Sequence, residues 1–136
     1  MKLTFVDAGV LIAAARGGTE QAERAMDVLD DPVREFAASH FLRLAVLPQA
    51  LFHRHAAEVA FYETFFAAVT HWAKDLDAIV AAALREASDC GVQAMDALHV
   101  AAASAVGAEE LVTTERLSRS IHRARSVRIV TLHPSS

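Results

Sequence analysis

Apolar residues recur along this chain in short runs and at helical spacing, and the two patterns alternate. Short β-branched or aromatic runs predict strands, whereas apolar residues every three or four positions predict helices. Strands are expected at 3–6, 36–39, 69–72, 111–113 and 127–131. Helices are expected over 8–16, from Thr19 to about 29, from about His40, and over 56–67, 75–90 and 94–106.

The helix boundaries follow from glycine, proline and capping residues. Gly17-Gly18, Gly91 and Gly107 mark helix ends, and Thr19 is suited to cap the second helix. Pro48 is expected to kink or interrupt the helix that begins near His40. Short apolar strands that alternate with helices favour a parallel sheet with both faces covered.

Composition indicates one helix-rich domain over residues 1–136. The chain is 54% hydrophobic with a formal net charge of −4, and its mean hydropathy of +0.27 excludes an intrinsically disordered protein. Alanine, the strongest helix former, supplies 29 residues. The apolar run at 78–84 is far shorter than the ~20 residues that span a bilayer, so no membrane association is expected. Cys90 is the only cysteine, which excludes an internal disulfide and fits a cytoplasmic location.

Charge is unevenly distributed along the chain. Residues 1–115 carry a net charge of −9, whereas residues 116–136 carry +5. The positive charge comes from Arg116, Arg119, Arg123, Arg125 and Arg128. An acidic body with a basic segment is typical of local phosphate binding, or of an arginine-covered surface, and charge alone does not choose between them.

Three acidic residues fall where functional sites form in parallel sheets, near the carboxyl ends of strands. Asp7 follows the first strand, Glu115 follows the strand at 111–113, and Asp96 lies in the first turn of a helix. Each alone is explained as a helix-end or surface acid. Together, they are harder to explain in this way. Burying an ionised carboxylate in an apolar segment costs free energy, and neighbouring carboxylates raise one another's pKa, unless a cation compensates their charge. Oxygen ligands suit Mg²⁺ or Mn²⁺, which supports phosphoryl-transfer chemistry.

Three segments resemble the best-recognised segments of a PIN domain. They are Leu3–Leu11 (LTFVDAGVL), Ala94–Ala103 (AMDALHVAAA) and Leu111–Glu115 (LVTTE), and their order and spacing also match. The nearest subgroup is the short bacterial VapC-like toxins of VapBC toxin–antitoxin pairs. The resemblance covers essentially the whole chain. It implies a three-layer α/β/α sandwich with a central, mostly parallel sheet, and a Mg²⁺- or Mn²⁺-dependent ribonuclease.

The resemblance also implies roles for individual residues. Asp7, Asp96 and Glu115 would be catalytic acids that hold the metal, with Glu115 where aspartate is more usual. Thr113 would be the hydroxyl that orients the acids. The implied partners are an RNA substrate, a small antitoxin and a second copy of the chain in a homodimer.

The sequence departs from the family at the second acid. A glutamate is expected six residues after Ser39, and that position holds Ala45. Gln49 lies one helical turn beyond Ala45 and is a weak candidate to replace the missing ligand, as is Glu35 on the preceding strand. Loss of a carboxylate close to a metal weakens binding, since even outer carboxylates change metal affinity about 10–100-fold.

Other candidate sites have ordinary explanations. His53 and His55 are two residues apart and do not share a helix face, so surface positions are favoured over a metal site. His99 is expected to be a hydrogen-bonded helix residue that is close to Asp96. The aromatic cluster is expected to form core or dimer contacts, and it comprises Phe61, Tyr62, Phe65, Phe66 and Trp72.

Two rival enzyme classes are excluded by residues near Asp7. Aspartyl-phosphate phosphatases need a second acid two residues on, where this chain has Gly9. Receiver domains need an acidic pair on the first loop and a later lysine, and the only lysines are Lys2 and Lys74.

Two functional hypotheses remain. The first is a metal-dependent endoribonuclease toxin in which Arg116, Arg119 and Arg123 contact the RNA phosphates. The alternative is a PIN-like binding module that lost catalysis with the acid at Ala45 and binds RNA or a protein partner.

Overall fold

The alternation of strands and helices is present in the computed structural model, which describes residues 1–134. The five strands are β1 (Lys2–Val6), β2 (Arg34–Ser39), β3 (His71–Ala73), β4 (Glu110–Thr113) and β5 (Ile129–Thr131). The six α-helices are α1 (Ala8–Arg16), α2 (Glu20–Leu29), α3 (His40–Phe52), α4 (Ala56–Ala68), α5 (Leu76–Cys90) and α6 (Ala94–Ala105). A short 3₁₀ turn at Ser120–Arg123 precedes β5.

The strands form one sheet in the order β3-β2-β1-β4-β5, and every pair is parallel. The chain steps from β1 to β2 to β3, and then returns to place β4 on the other side of β1. Because parallel crossovers are right-handed, this reversal puts α1–α4 on one face and α5–α6 on the other. Accordingly, α1 packs against α2, α3 and α4, and α5 packs against α6. The predicted three-layer α/β/α class is confirmed.

The core lies on both faces of the sheet. Phe5 and Val6 on β1 point to opposite faces, and both are fully buried. On β4, Leu111 and Val112 are buried in the same way. A strand that is covered on both sides buries successive residues, which is why the centres of β1 and β4 appear in the sequence as short apolar runs.

Several helix ends are capped as predicted. The Thr19 side chain accepts from the Ala22 amide at 3.0 Å at the start of α2. Gly91 adopts a left-handed conformation after α5, with φ of +71°. Asp7 and Ser39 also cap α1 and α3, because their side chains accept from amides three residues on.

Pro48 was expected to kink or interrupt the third helix, and it does not interrupt it, because α3 continues through Pro48 to Phe52. Proline removes the hydrogen bond to the carbonyl four residues earlier, at Leu44. Leu44 and Pro48 are both exposed, so water is available to that carbonyl. Among residues 1–134, no helix has both the length and the apolar character needed to cross a membrane.

Candidate acidic site at the carboxyl edge of the sheet

The predicted acids lie where the strand order reverses. In open α/β sheets, the crevice at the carboxyl ends of such strands is the usual ligand site. Here the reversal falls between β1 and β4, whose residues Val6 and Val112 are paired. Asp7 follows β1 directly, and Thr113 ends β4 two residues before Glu115. The topology therefore brings these segments together although more than 100 positions separate them.

Asp7 is the most buried of the three acids, with 5% of its surface exposed. Its Oδ1 accepts from the Val10 amide at 3.2 Å, and its Oδ2 accepts from the Thr113 hydroxyl. Burial raises the pKa of Asp7 to about 6, against the lowering effect of these hydrogen bonds. The charges of Asp96 and Glu115 also contribute to this raised pKa, though less than burial does. The site thus holds a carboxylate whose charge is not fully compensated.

Asp96 lies in the first turn of α6 and is half-buried. Burial raises its pKa, as does the charge of Glu115, whereas the charge of Arg119 lowers it. The positive end of the helix dipole also favours an anion at this position. Asp7, Asp96 and Glu115 are therefore close enough to interact electrostatically.

Glu115 has a fixed backbone and a half-exposed side chain. Its amide donates to Thr113 Oγ1 at 3.1 Å, and its carbonyl accepts from Thr131 Oγ1 at 2.6 Å. The His122 ring lies 2.8 Å from the same carbonyl. The carboxylate Oε2 is 3.5 Å from Arg119 Nε, and 43% of the Glu115 side chain is exposed.

A metal ion was implied for these acids. Within residues 1–134, no three or more His, Cys, Asp or Glu side chains are arranged to hold a metal ion as they stand. The donor chemistry nevertheless fits a hard divalent cation, because all three side chains are carboxylates and two have raised pKa values. Binding a cation would require the side chains to close on it.

Sequence analysis missed a close contact beside Asp7. A Cβ atom on Gly9 would overlap the Thr114 hydroxyl and would lie 3.4 Å from Asp7 Oδ1. The Thr114 carbonyl accepts from Gln21 Nε2 on α2 at 3.2 Å. The only signal in the sequence was a glycine in the first turn of an otherwise apolar helix, two residues after Asp7.

Within residues 1–134, neither Gln49 nor Glu35, the two candidates to replace the missing second acid, contacts Asp7, Asp96 or Glu115. Ala45 is half-buried in α3. Gln49 is exposed and lies 3.2 Å from the His53 ring. Glu35 accepts from Thr70 and lies near the amino end of β2, away from the carboxyl edge.

The three arginines expected at RNA phosphates have different surroundings. Arg116 is exposed, and Arg119 pairs with Glu115. Arg123 donates to the carbonyls of Cys90 and Gly91, the first at 2.9 Å, so its guanidinium caps the end of α5.

His99 departs from its predicted state as a hydrogen-bonded residue. It is 3% exposed beside Phe5, with ring centroids 6.0 Å apart. Its Nδ1 has no hydrogen-bond partner in the part of the chain that is described. Burial lowers the pKa of His99 to about 4. His53 and His55 are exposed, as expected.

The predicted aromatic cluster contributes to the core between α4 and the sheet. Tyr62 and Phe66 on α4 are buried. Phe66 lies 5.9 Å from the Trp72 ring on β3, and Phe65 lies 5.7 Å from Phe36 on β2.

Comparison with solved structures identifies the same fold in several proteins, including the three crystal structures that follow. VapBC2 from Rickettsia felis, bound to a DNA fragment from their promoter, matches with a TM-score of 0.71 and 10% identity, over 95% of this chain and 98% of that chain. FitAcB from Neisseria gonorrhoeae matches with a TM-score of 0.57 and 18% identity, over 93% of this chain and 95% of that chain. PAE2754 from Pyrobaculum aerophilum matches with a TM-score of 0.57 and 20% identity, over 95% of this chain and 91% of that chain. No family model and no curated protein matches the sequence. The structural likeness confirms the predicted PIN-like fold.

Proposed function

We propose that this chain is a PIN-type nuclease of a toxin–antitoxin pair, and specifically a metal-dependent endoribonuclease. The observation that carries the proposal is that Asp7, Asp96 and Glu115 interact electrostatically at the β1–β4 reversal. There, the Thr113 hydroxyl contacts the Asp7 carboxylate and the Glu115 amide. The VapBC2 and FitAcB structures have the same fold, and VapBC pairs are the type that the sequence resembles.

In this proposal Asp7, Asp96 and Glu115 hold Mg²⁺ or Mn²⁺. A divalent ion in such a site lowers the pKa of a bound water and stabilises charge on a phosphate. The residues of the chain supply the rest. Thr113 orients Asp7 Oδ2 and fixes the backbone at Glu115, so two of the acids are positioned by one hydroxyl.

Phosphate binding is assigned to the arginines next to Glu115. Arg116 is exposed on the segment that leaves β4, and Arg119 lies within reach of the acids. Arginine binds the RNA backbone through charge and paired hydrogen bonds without reading its sequence. Arg123 is not assigned to phosphate binding, because its guanidinium donates to the Cys90 and Gly91 carbonyls at the end of α5.

The test is Mn²⁺-dependent cleavage of a labelled RNA pool. We expect Asp96→Asn to reduce cleavage at least ~100-fold, since even outer carboxylates change metal affinity about 10–100-fold. Asp89→Asn is the matched control, because it removes the same charge from an exposed position on α5. Cleavage that survives Asp96→Asn would overturn the proposal.

Ala45 favours a second candidate, a PIN-like module that binds RNA or protein without cleaving. The discriminating variant is Ala45→Glu, which restores the carboxylate that the resemblance implies. If Ala45→Glu cleaves RNA and the natural chain only binds it, the binding module is supported. If the natural chain cleaves, three acids are sufficient.

Protein partners are proposed from the exposed apolar surface. Val80 and Leu84, which are one turn apart on α5, are 50% and 68% exposed. Apolar surface of this kind commonly marks sites of protein association. We expect the chain to form a homodimer and to bind a small antitoxin. Light scattering of the chain alone, and with the candidate antitoxin, tests both expectations.

A further inference from the structure

We propose that Arg119 is the resident counter-cation of the acidic site and competes with divalent metal for Glu115. This inference rests on the proposed function, since the competing ion is the metal proposed there. It assigns Arg119 a role that tunes metal affinity, separate from the phosphate contacts proposed above.

The ion pair has the geometry of an exchangeable contact. Arg119 Nε lies 3.5 Å from Glu115 Oε2, and the two side chains are 53% and 43% exposed. The Arg119 amide also donates to the Arg116 carbonyl at 3.0 Å, which turns the chain back toward Glu115. Solvent therefore reaches both partners, and the pair is able to open without unfolding its surroundings.

The influence of Arg119 extends beyond Glu115. Its positive charge also acts on Asp96, where it opposes the effect of Glu115. One guanidinium thus partly compensates two of the three acids. A divalent ion among the acids would carry its charge to the same region, so the two cations repel each other there.

The Glu115 backbone is anchored while its side chain is not. Thr113 holds its amide, and Thr131 donates to its carbonyl, which also lies beside the His122 ring. When the Glu115 carboxylate moves from Arg119 to a metal, it then does so by rotation of its side chain and not by displacement of its backbone. Glu115 interacts electrostatically with Asp7 and Asp96. Within residues 1–134, however, no three His, Cys, Asp or Glu side chains are arranged to hold a metal ion. An unanchored Glu115 side chain that is paired with Arg119 accounts for both observations.

Isothermal calorimetry with Mn²⁺ tests the inference without any measurement of cleavage. We expect Arg119→Gln to bind Mn²⁺ about twofold to fivefold more tightly than the natural chain, the range that corresponds to a half-exposed ion pair. Arg116→Gln is the control, because it removes the same charge from an exposed position three residues away. It should change the affinity much less.

A Glu115→Gln background shows whether Arg119 acts through Glu115. There, adding Arg119→Gln should change Mn²⁺ affinity by less than in the natural chain. Equal Mn²⁺ affinity for the natural chain and Arg119→Gln, or equal effects of Arg119→Gln and Arg116→Gln, would overturn this inference alone. Absence of Mn²⁺ binding in every variant would overturn both this inference and the proposed metal dependence.

Discussion

The hydroxyl of Thr113 donates to Oδ2 of Asp7 across the β1–β4 pair, and its oxygen accepts from the Glu115 amide. Thr113 is fully buried, so water does not replace either contact. A single side chain at the end of β4 therefore links the buried acid of β1 to the acid that follows β4.

We expect Thr113→Val to lower the free energy of unfolding by about 1–3 kcal/mol, because it leaves buried polar groups unpaired. It should also raise the pKa of Asp7 above about 6, since the lost hydrogen bond lowers that pKa. Urea denaturation and a carboxyl NMR titration measure the two effects. Thr113→Ser keeps the hydroxyl and should resemble the natural chain; equal effects of Val and Ser would contradict the role assigned to the hydroxyl.

Replacement of Asp7 should stabilise the fold while it removes function. The pKa of Asp7 is about 6 in the folded chain and 3.8 ordinarily, so between these values the folded state binds more protons. The protonated Asp7 carboxyl therefore favours the folded state, and this contribution to stability is lost as pH rises from 3.8 to about 6. We expect Asp7→Asn to exceed the natural chain in unfolding free energy at pH 8 by up to about 3 kcal/mol.

This gain should become small near pH 3.5, where the carboxyl is mostly protonated in both the folded and the unfolded state. Asparagine also keeps the helix-capping ability that Asp7 provides to α1. Urea denaturation at both pH values is the measurement, and Asp27→Asn, exposed on α2, is the control. A difference of the same size at both pH values would argue against the raised pKa.

Gly9 should resist substitution although it lies in a helix. Alanine is ordinarily the better helix former by roughly 1 kcal/mol. At Gly9, however, its Cβ overlaps the Thr114 hydroxyl, so we expect Gly9→Ala to destabilise the chain by about 1–3 kcal/mol. In a Thr114→Ala background the obstruction is gone, and Gly9→Ala should be neutral or stabilising. A double-mutant cycle in urea measures this coupling, and simple additivity would refute it.

Sequence patterns were sufficient to place the acids at one edge of the sheet. Asp7 follows an apolar run and precedes a helical one, so its position at the end of β1 is fixed by local periodicity. Because parallel strands align their carboxyl ends, Glu115 after β4 belongs to the same edge without knowledge of the strand order.

The side-chain contacts were beyond sequence reasoning because they depend on tertiary distances. Arg119 pairs with Glu115, and Arg123 turns to the end of α5, yet both looked the same as basic residues in one segment. His99 appeared to be an ordinary helix residue. Its burial against Phe5 without a partner for Nδ1 in the described chain depends on how α6 packs on the sheet.

Glu86 on α5 offers a test of how the arginine-bearing segment is held. Its Oε1 accepts from the amides of Arg125 and Ser126 at 2.7 and 3.0 Å, and its Oε2 accepts from the Ser126 hydroxyl at 2.7 Å. Burial raises the pKa of Glu86, but the hydrogen bonds outweigh it and hold the pKa below its ordinary value of 4.5. The ionised Glu86 side chain therefore stabilises the folded chain, and this contribution should be lost as pH falls through the lowered pKa of Glu86.

We expect Glu86→Ala to lower the free energy of unfolding by about 2–3 kcal/mol, as hydrogen bonds to a buried charge are lost. Glu63→Ala, exposed on α4, should change it little. Because β5 follows this segment and Thr131 holds the Glu115 carbonyl, hydrogen exchange at Arg125, Ser126 and Glu115 should quicken in Glu86→Ala while α2 stays protected. If Arg125 and Ser126 exchanged faster but Glu115 did not, the anchor at Glu86 would be local, and the acidic site would owe its rigidity to Thr113 rather than to β5.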